Sequence, residues 1–142
     1  MGLATAAGLG GGACLDDVAL VPPTVDEDPA LPRLVRGETA LHVTELGVRG
    51  QPLVVFVHGG PGADHRQFLA WAPLADVGYH LVMYDQRGAG LSRRHDRTTL
   101  DVPHALADLD AVIDAHRAGD EPVVLFSHSW GSMLVTAAID AD

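Results

Sequence analysis

The residues with the clearest chemical potential surround Ser129, in the stretch SHSWG at positions 127–131. This stretch directly follows the apolar run Val123–Phe126 and precedes a segment of helical character. A strand, a tight turn and a helix in that order expose a serine hydroxyl as a nucleophile, with small residues two positions before and two positions after it. Gly131 fits that requirement, and Ser127 stands where glycine is usual. The pattern predicts nucleophilic acyl chemistry.

Two glycine-containing motifs lie upstream, each directly after another apolar run. HGGPG occupies positions 58–62, and DQRGAGLS occupies positions 85–92. Glycine lets the backbone approach a substrate without a Cβ in the way. Backbone N–H groups held in such a loop can stabilise the negative charge that develops on a carbonyl oxygen under attack. Both motifs therefore strengthen the prediction made from Ser129.

The elements that would position these motifs alternate along the chain. Continuous apolar runs bounded by Pro or Gly are typical of strands covered on both faces. The predicted order is a hairpin with strands at 34–35 and 41–45, strand 53–57, a short helix over 65–77 interrupted at Pro73, strand 79–84, helix 102–116, strand 123–126 and a helix after Ser129. This alternation predicts a doubly wound α/β sheet. All three motifs then fall at the carboxyl ends of strands, where such sheets place their chemistry.

With these motifs the chain resembles the α/β-hydrolase superfamily, and within it most closely the proline iminopeptidase-like branch. That branch combines an HGGPG loop, a DQRGxGxS loop and a Ser-Trp-Gly-Ser elbow, which here occupies positions 129–132. The resemblance covers residues 31–142 and implies an α/β-hydrolase fold with an N-terminal hairpin on a mostly parallel sheet. It also implies a serine hydrolase that removes N-terminal residues from peptides or hydrolyses small esters or amides.

The resemblance assigns roles to residues of the first and third motifs. Ser129 would be the nucleophile that forms an acyl-enzyme. The N–H group of Trp130 would be one oxyanion donor, and Gly59 the other, with Gly60 as the alternative. The family also implies a cis peptide bond between Gly60 and Pro61.

Charged and aromatic residues of the loops are expected to brace the structure. We expect Asp85 and Arg87 to pair or to hydrogen-bond with loop backbone, while Gly88 and Gly90 supply positive φ angles. His58 is expected to anchor the first loop. It is also the only internal candidate for a replacement general base, because its strand should neighbour the strand before Ser129.

The resemblance also indicates what the chain lacks. In this superfamily the acid and then the histidine of the triad follow the serine, and only 13 residues follow Ser129 here. We therefore expect a truncated fold without the triad acid, its histidine or the lid that selects substrate, and without activity on its own. The alternatives are the N-terminal portion of a longer hydrolase, a non-catalytic binding module, or one half of a split hydrolase. Strand 123–126 would then be an apolar sheet edge.

The composition and net charge indicate the type of domain and disfavour some classes of binding partner. A chain of 142 residues with 47% hydrophobic residues has enough for one core, so we expect one soluble domain. A net charge of −10 disfavours binding to nucleic acid or to anionic membranes, and no apolar run is long enough to span a bilayer. The single cysteine excludes an internal disulfide and a cysteine-based metal site. Acyl transfer by this route implies no metal and no organic cofactor.

The first thirty residues differ in composition from the rest. They are small, apolar and glycine-rich, and then rich in Pro and acidic residues. A secretory or lipoprotein leader, with Cys14 lipidated, is one interpretation. However, no basic residue precedes the apolar stretch, and Gly11 stands three positions before Cys14. We favour a flexible arm over residues 1–30 and a cytoplasmic location, with export or lipid anchoring as the alternative.

Overall fold

A five-stranded sheet organises residues 22–141, the part of the chain that the computed structural model describes. The strands are β1 (Arg33–Arg36), β2 (Thr39–Leu46), β3 (Leu53–Val57), β4 (His80–Tyr84) and β5 (Val123–Ser127). The helices are α1 (Val102–His116) and α2 (Trp130–Ala141), and 3₁₀ turns form at His65–Val77 and Arg97–Thr99. Cys14 and the proposed leader lie outside the described residues.

The strand order is β1-β2-β4-β3-β5. Strand β2 is antiparallel to both β1 and β4, whereas β3 is parallel to both β4 and β5. The molecule therefore joins an N-terminal hairpin to a parallel three-stranded unit. This confirms the predicted fold class and places the strand before Ser129 beside the strand before the HGGPG loop.

Both faces of the central strands are covered, which explains their continuous apolar runs. Every residue of β3 and β4 is buried. On one face Val55 and Tyr84 pack in a core shared with α1 and α2, and on the other Phe56 and Met83 pack with Phe68 of the 3₁₀ segment. Burial on both sides is what a parallel sheet requires of its strands.

The connecting helices begin and end at residues that suit those positions. The Asp101 carboxylate accepts a hydrogen bond from the N–H group of His104, and proline occupies the first turn of α1. The segment His65–Val77 forms 3₁₀ turns with Pro73 inside it. Proline has no N–H group and clashes with the preceding turn, so an unbroken α-helix is disfavoured there. Gly78 ends the segment with a φ of 95°.

Strand β5 lies at the end of the strand order and is less buried than its neighbour β3. Within residues 22–141 no strand pairs with its far side. Val124 is 46% exposed, although every residue of β3 beside it is buried. The expected apolar edge is therefore present in the described part of the chain.

Residues 22–30, which the sequence assigns to an arm, pack against the loop that follows β4. Val25 is fully buried, and its N–H group donates to the carbonyl of Leu91 at 2.8 Å. Asp26 forms an ion pair with Arg93 at 2.8 Å, and Arg33 donates to the carbonyl of Val25. In this acidic, proline-containing segment, Asp26 thus pairs with an arginine that is distant in sequence. None of the helices in the described range has both the length and the hydropathy to cross a membrane.

Candidate active site

A strained backbone presents Ser129. It has a φ of 54° and is the only non-glycine residue with positive φ among residues 22–141. This left-handed conformation costs a non-glycine residue about 1–2 kcal/mol, so the surrounding structure must impose it. Ser127, the residue in the usual glycine position, directs its hydroxyl to that of Ser132 at 3.2 Å. The turn therefore accommodates serine at position 127.

The glycine after the turn lets α2 start directly over the end of β3. A Cβ on Gly131 would lie 2.1 Å from the carbonyl oxygen of Val57, a separation that real Cβ atoms do not show. The N–H group of His128 also donates to Val57 O at 3.3 Å. The end of β3 thus fixes the position of the turn that carries Ser129.

The first loop, His58–Gly62, lies against this turn without a side chain between them. A Cβ on Gly59 would lie 3.1 Å from Cβ of Ser129 and 3.0 Å from the carbonyl oxygen of His128. Gly60 has a φ of 125°, and its peptide bond to Pro61 is cis, as the family resemblance implies. Glycine at position 59 therefore allows the loop backbone to approach the serine.

The backbone N–H groups around Ser129 that lack an acceptor within the described part of the chain include those of Gly59, Gly60 and Trp130. Buried N–H groups are almost always paired. Gly59 is buried, whereas Gly60 is exposed. These N–H groups are candidates for holding a ligand oxygen, and the contact with Ser129 favours Gly59 over Gly60.

No described residue accepts a hydrogen bond from the Ser129 hydroxyl or donates one to it. His58, the internal candidate base, is fully buried, and its Nε2 accepts from the N–H group of Gln86 at 2.9 Å. Its Nδ1 must then carry the proton and donate to the carbonyl of Gly59 at 2.9 Å. Burial lowers the pKa of His58, so the ring is neutral. With both nitrogens engaged, it holds the loop and has no lone pair for Ser129.

The carboxylate of Asp85, the first residue of the second loop (Asp85–Ser92), accepts hydrogen bonds from backbone and side-chain donors. Asp85 Oδ1 accepts from the N–H group of His65 at 2.7 Å and from Nδ1 of His65 at 2.8 Å. Its Oδ2 accepts from the N–H group of Leu91 at 2.8 Å. Burial acts to raise the pKa of Asp85, but the hydrogen bonds from His65 and Leu91 outweigh it and lower the pKa. Gly90, with a φ of 49°, leaves room for the carboxylate.

Arg87 ties the same loop to α1. Its guanidinium forms two 2.7 Å hydrogen bonds with the Asp108 carboxylate and a third, at 2.9 Å, with the carbonyl of Thr99. Both partners of this ion pair are buried. Gly88 turns the chain beside it with a φ of 72°. Asp85 and Arg87 thus contact the loop and α1, in the bracing arrangement expected from the sequence.

Gln86 connects all three motifs, and the sequence did not single it out. Its side-chain amide donates to the carbonyl of His58 at 2.6 Å, and its Oε1 accepts from the indole Nε1 of Trp130 at 3.2 Å. Its position in the sequence, just after a predicted buried strand and between Asp85 and Arg87, could have marked it as a site residue. His65 and Asp108 were also missed as partners, because each lies 20 or more residues from the residue it contacts.

A cavity of about 550 Å³ opens beside the turn. Pro61, Gln86, Arg87 and Trp130 border it, and Leu100, Val102 and Ala105 give it an apolar wall. Ser129 is not among its lining residues, but its neighbour Trp130 is. The cavity could hold a small, largely apolar group next to the serine.

Comparison with known proteins identifies the family. The model of the alpha/beta hydrolase fold family matches residues 52–140. The chain is 36% identical over 96 residues to epoxide hydrolase A of Mycobacterium tuberculosis, covering 67% of this chain and 29% of that protein. It is 33% identical over 85 residues to proline iminopeptidase of Saccharolobus solfataricus, covering 59% of this chain and 27% of that protein.

A solved structure gives the same result. The thioesterase domain from the curacin biosynthetic pathway superposes with a TM-score of 0.69 at 30% identity, covering 78% of this chain and 41% of that one. The match to each curated relative spans less than a third of the relative's length. Its relatives differ in chemistry but share one architecture, and this chain belongs to the α/β-hydrolase fold family.

Proposed function

We propose that Ser129 is the nucleophile of a serine hydrolase of the proline iminopeptidase-like type, acting on small peptides, amides or esters. The observation that carries the proposal is the strained serine, with a φ of 54°, placed against a loop whose N–H groups lack acceptors among the described residues. Backbone strain of this kind persists where the surrounding structure imposes it and is concentrated at functional sites.

The chemistry follows from these groups. The Ser129 hydroxyl oxygen attacks the substrate carbonyl carbon, and its proton passes to a general base. The carbonyl oxygen gains the negative charge, which the N–H groups of Gly59 and Trp130 stabilise in the proposed oxyanion hole. Collapse of this intermediate breaks the bond to the amine or alcohol, which leaves with the proton from the base. Water then hydrolyses the serine ester by the same steps.

In this proposal the general base and its carboxylate partner come from outside the described residues. The two nitrogens of His58 are both hydrogen-bonded, and Asp85 and Arg87 are engaged elsewhere. The described residues thus supply the nucleophile and the oxyanion donors only. Without the base they retain at best a small residual rate acceleration.

Among the relatives, one named an epoxide hydrolase raises a second chemistry, which serine at position 129 disfavours. Attack of a serine hydroxyl on an epoxide would open the ring and leave an ether on the enzyme. An ether has no carbonyl carbon for water to attack, so the enzyme would not be regenerated. Acyl transfer instead leaves an ester, which can turn over. The similarity to proline iminopeptidases and the three motifs support amide or ester substrates.

Labelling with a fluorophosphonate probe tests the nucleophile. The hydroxyl of an activated serine displaces fluoride and retains the phosphonate, and peptide mass spectrometry locates the adduct. In an extract of the native host we expect the adduct on Ser129, with loss of labelling in Ser129→Ala and not in Ser132→Ala. The purified chain alone should label only at background level. Absence of the adduct at Ser129 in both samples would overturn the proposal and favour a non-catalytic binding module.

A substrate panel then tests the finer assignment. An unlabelled portion of the material that labels at Ser129 should release the chromophore from an N-terminal proline arylamide faster than from a short-chain aryl ester, and should not open an aryl epoxide. The catalytically inactive Ser129→Ala variant provides the background for each substrate. Faster ester than proline-amide cleavage would retain the serine mechanism but assign the protein to esterase chemistry. Separation of the label-competent material into two chains would identify it as half of a split hydrolase.

A further inference from the structure

Gln86 contacts both sides of the proposed oxyanion hole, which joins an N–H group of the first loop to one of the turn. It is buried, lies directly after β4 and borders the cavity together with Trp130. Its side-chain amide donates to the carbonyl of His58 at 2.6 Å and accepts from the indole Nε1 of Trp130 at 3.2 Å. We propose that Gln86 is a positioning residue that sets the relative placement of the two oxyanion donors, Gly59 and Trp130. This inference rests on the proposed hydrolase function.

The hydrogen bond to His58 acts on the peptide group that carries the first donor. The carbonyl of His58 and the N–H group of Gly59 belong to one planar trans peptide unit and therefore point in opposite directions. A carbonyl held by the amide of Gln86 fixes the direction of the N–H group at the other end of the unit. Hydrogen bonds in series also polarise one another, so a bond accepted at the carbonyl makes the N–H group a stronger donor. Gln86 thus orients the Gly59 N–H group without contacting the substrate.

A second contact extends this control to the next peptide group. The backbone N–H group of Gln86 donates to His58 Nε2 at 2.9 Å, so the proton of the ring is on Nδ1, which donates to the carbonyl of Gly59 at 2.9 Å. That carbonyl shares its peptide unit with the N–H group of Gly60, the alternative donor. Gln86 therefore holds both peptide units, one through its side chain and the other through its backbone and the His58 ring.

The two partners of the side chain require a donor and an acceptor on the same group. An indole N–H group only donates and a carbonyl only accepts. The amide oxygen of Gln86 must then face Trp130, and its NH₂ group must face the carbonyl of His58. A glutamate carboxylate would instead present an oxygen to that carbonyl and repel it. Since Trp130 is the first residue of α2, the amide also ties the start of this helix to the first loop.

Gln86 differs in this respect from the charged residues on either side of it. Asp85 accepts hydrogen bonds from His65. Arg87 pairs with Asp108 on α1. Neither partner carries a proposed oxyanion donor, so loss of these contacts should lower stability alone. Loss of the Gln86 amide should also slow the chemical step, because displaced donors stabilise the transition-state oxyanion less and change substrate binding little.

Kinetics of Gln86→Met and Gln86→Glu, introduced into the gene of the native host, test the role. Unlabelled portions of material that labels at Ser129 are assayed with the arylamide or aryl ester that the unaltered protein cleaves fastest. At about pH 8 we expect kcat to fall by about 10–100-fold in both variants, with KM changed by less than about twofold. Gln67→Glu makes the same change at an exposed glutamine of the 3₁₀ segment and should leave both constants unaltered.

A partial recovery at low pH is a second signature of Gln86→Glu. A protonated carboxyl has one donor and one acceptor, as the amide has, and can make both hydrogen bonds. Burial raises the pKa of a carboxyl, so the deficit in kcat relative to the unaltered protein should narrow by about threefold or more between about pH 8 and about pH 5.5. Gln86→Met should show no such narrowing. Recovery within one sample also demonstrates that the Gln86→Glu variant remains folded.

A measurement on the purified full chain needs no turnover. The NMR resonances of the Gly59 amide and the Trp130 indole should move in Gln86→Met and stay in place in Gln67→Glu. An unmoved Gly59 resonance would overturn the positioning role, as would a kcat equal to that of the unaltered protein. A lower melting temperature or a higher KM with unchanged kcat would also overturn it and leave Gln86 as a brace. Absence of labelling at Ser129 in the unaltered material would instead overturn the hydrolase proposal and this role with it.

Discussion

The first loop, His58–Gly62, and the second loop, Asp85–Ser92, are both rich in glycine but differ in the groups that they place in contact with the rest of the molecule. Both follow fully buried strands and both rely on glycines at positive φ. In the second loop the carboxylate of Asp85, the guanidinium of Arg87 and the hydroxyl of Ser92 all have partners. In the first loop the N–H groups of two consecutive glycines have none among the described residues. The charged side chains of the second loop therefore brace it against α1 and the 3₁₀ segment, whereas the first loop brings its backbone beside Ser129.

Removing the carboxylate of the second loop should have the largest effect on stability. Asp85→Ala leaves the N–H groups of His65 and Leu91 and the imidazole of His65 without their acceptor. We expect a loss of about 3–5 kcal/mol in the free energy of unfolding, measured by urea denaturation. Asp120→Ala, at an exposed position, should change it by less than about 0.5 kcal/mol. Similar values for the two variants would contradict the bracing role.

A methyl group at the crossing of α2 and β3 should have the next largest effect. Gly131→Ala places a Cβ 2.1 Å from Val57 O, and overpacking of this kind costs about 1–3 kcal/mol or more. In Gly119→Ala the nearest atom is 3.5 Å away and belongs to a flexible side chain. Thermal denaturation of both variants checks the prediction. An unchanged melting temperature in Gly131→Ala would mean that the turn is not pressed onto β3.

Relieving the strain at the serine should stabilise the chain. Glycine adopts a φ of 54° without the penalty that serine pays there. Ser129→Gly should therefore raise the free energy of unfolding by about 1 kcal/mol while removing the proposed nucleophile. Ser132→Gly, inside helix α2, should instead lower it by a similar amount. A loss of stability in Ser129→Gly would show that the serine side chain supports the fold.

The smallest expected effect is a pH dependence that the first loop contributes through His58. Burial lowers the pKa of His58 below 6.5, so the unfolded chain binds a proton at a higher pH than the folded chain does. Its contribution to stability is present above about pH 6.5 and is lost as the pH falls toward the lower folded value. The slope of unfolding free energy against pH between 5 and 7 should be shallower in His58→Gln. An identical slope would show that His58 does not contribute.

Much of the fold was predictable because local pattern and tertiary burial agree. The runs at 53–57 and 123–126 became β3 and β5, and the residues of α1 follow one apolar stripe. The contacts of residues 22–30 were not predictable, since they depend on Arg93, 67 residues away from Asp26. The Arg87–Asp108 and His65–Asp85 pairs likewise join residues 20 or more positions apart in the sequence. Periodicity reports which face is buried, but it carries no information on which polar partners meet across elements.

The candidate site itself divides in the same way. The sequence identified Ser129, Gly59 and Trp130 because glycines at fixed positions in their motifs mark a tight turn and a close backbone approach. Gln86 was not, since its importance lies in reaching both His58 and Trp130 across the top of the sheet. The role of such a residue depends on contacts with residues distant in sequence, and no local sequence pattern predicts those contacts.

The two glycine contacts at the end of β3 are reciprocal, and this limits how the protein can change. Gly59 of the loop makes room for His128 and Ser129, while Gly131 of the turn makes room for Val57 and His58. Residues of each motif thus fill the space that the missing side chain of the other motif's glycine leaves. A larger residue on either side would force the loop and the turn that carries Ser129 apart. Exchanging one motif with that of a relative should therefore succeed only when both are moved together.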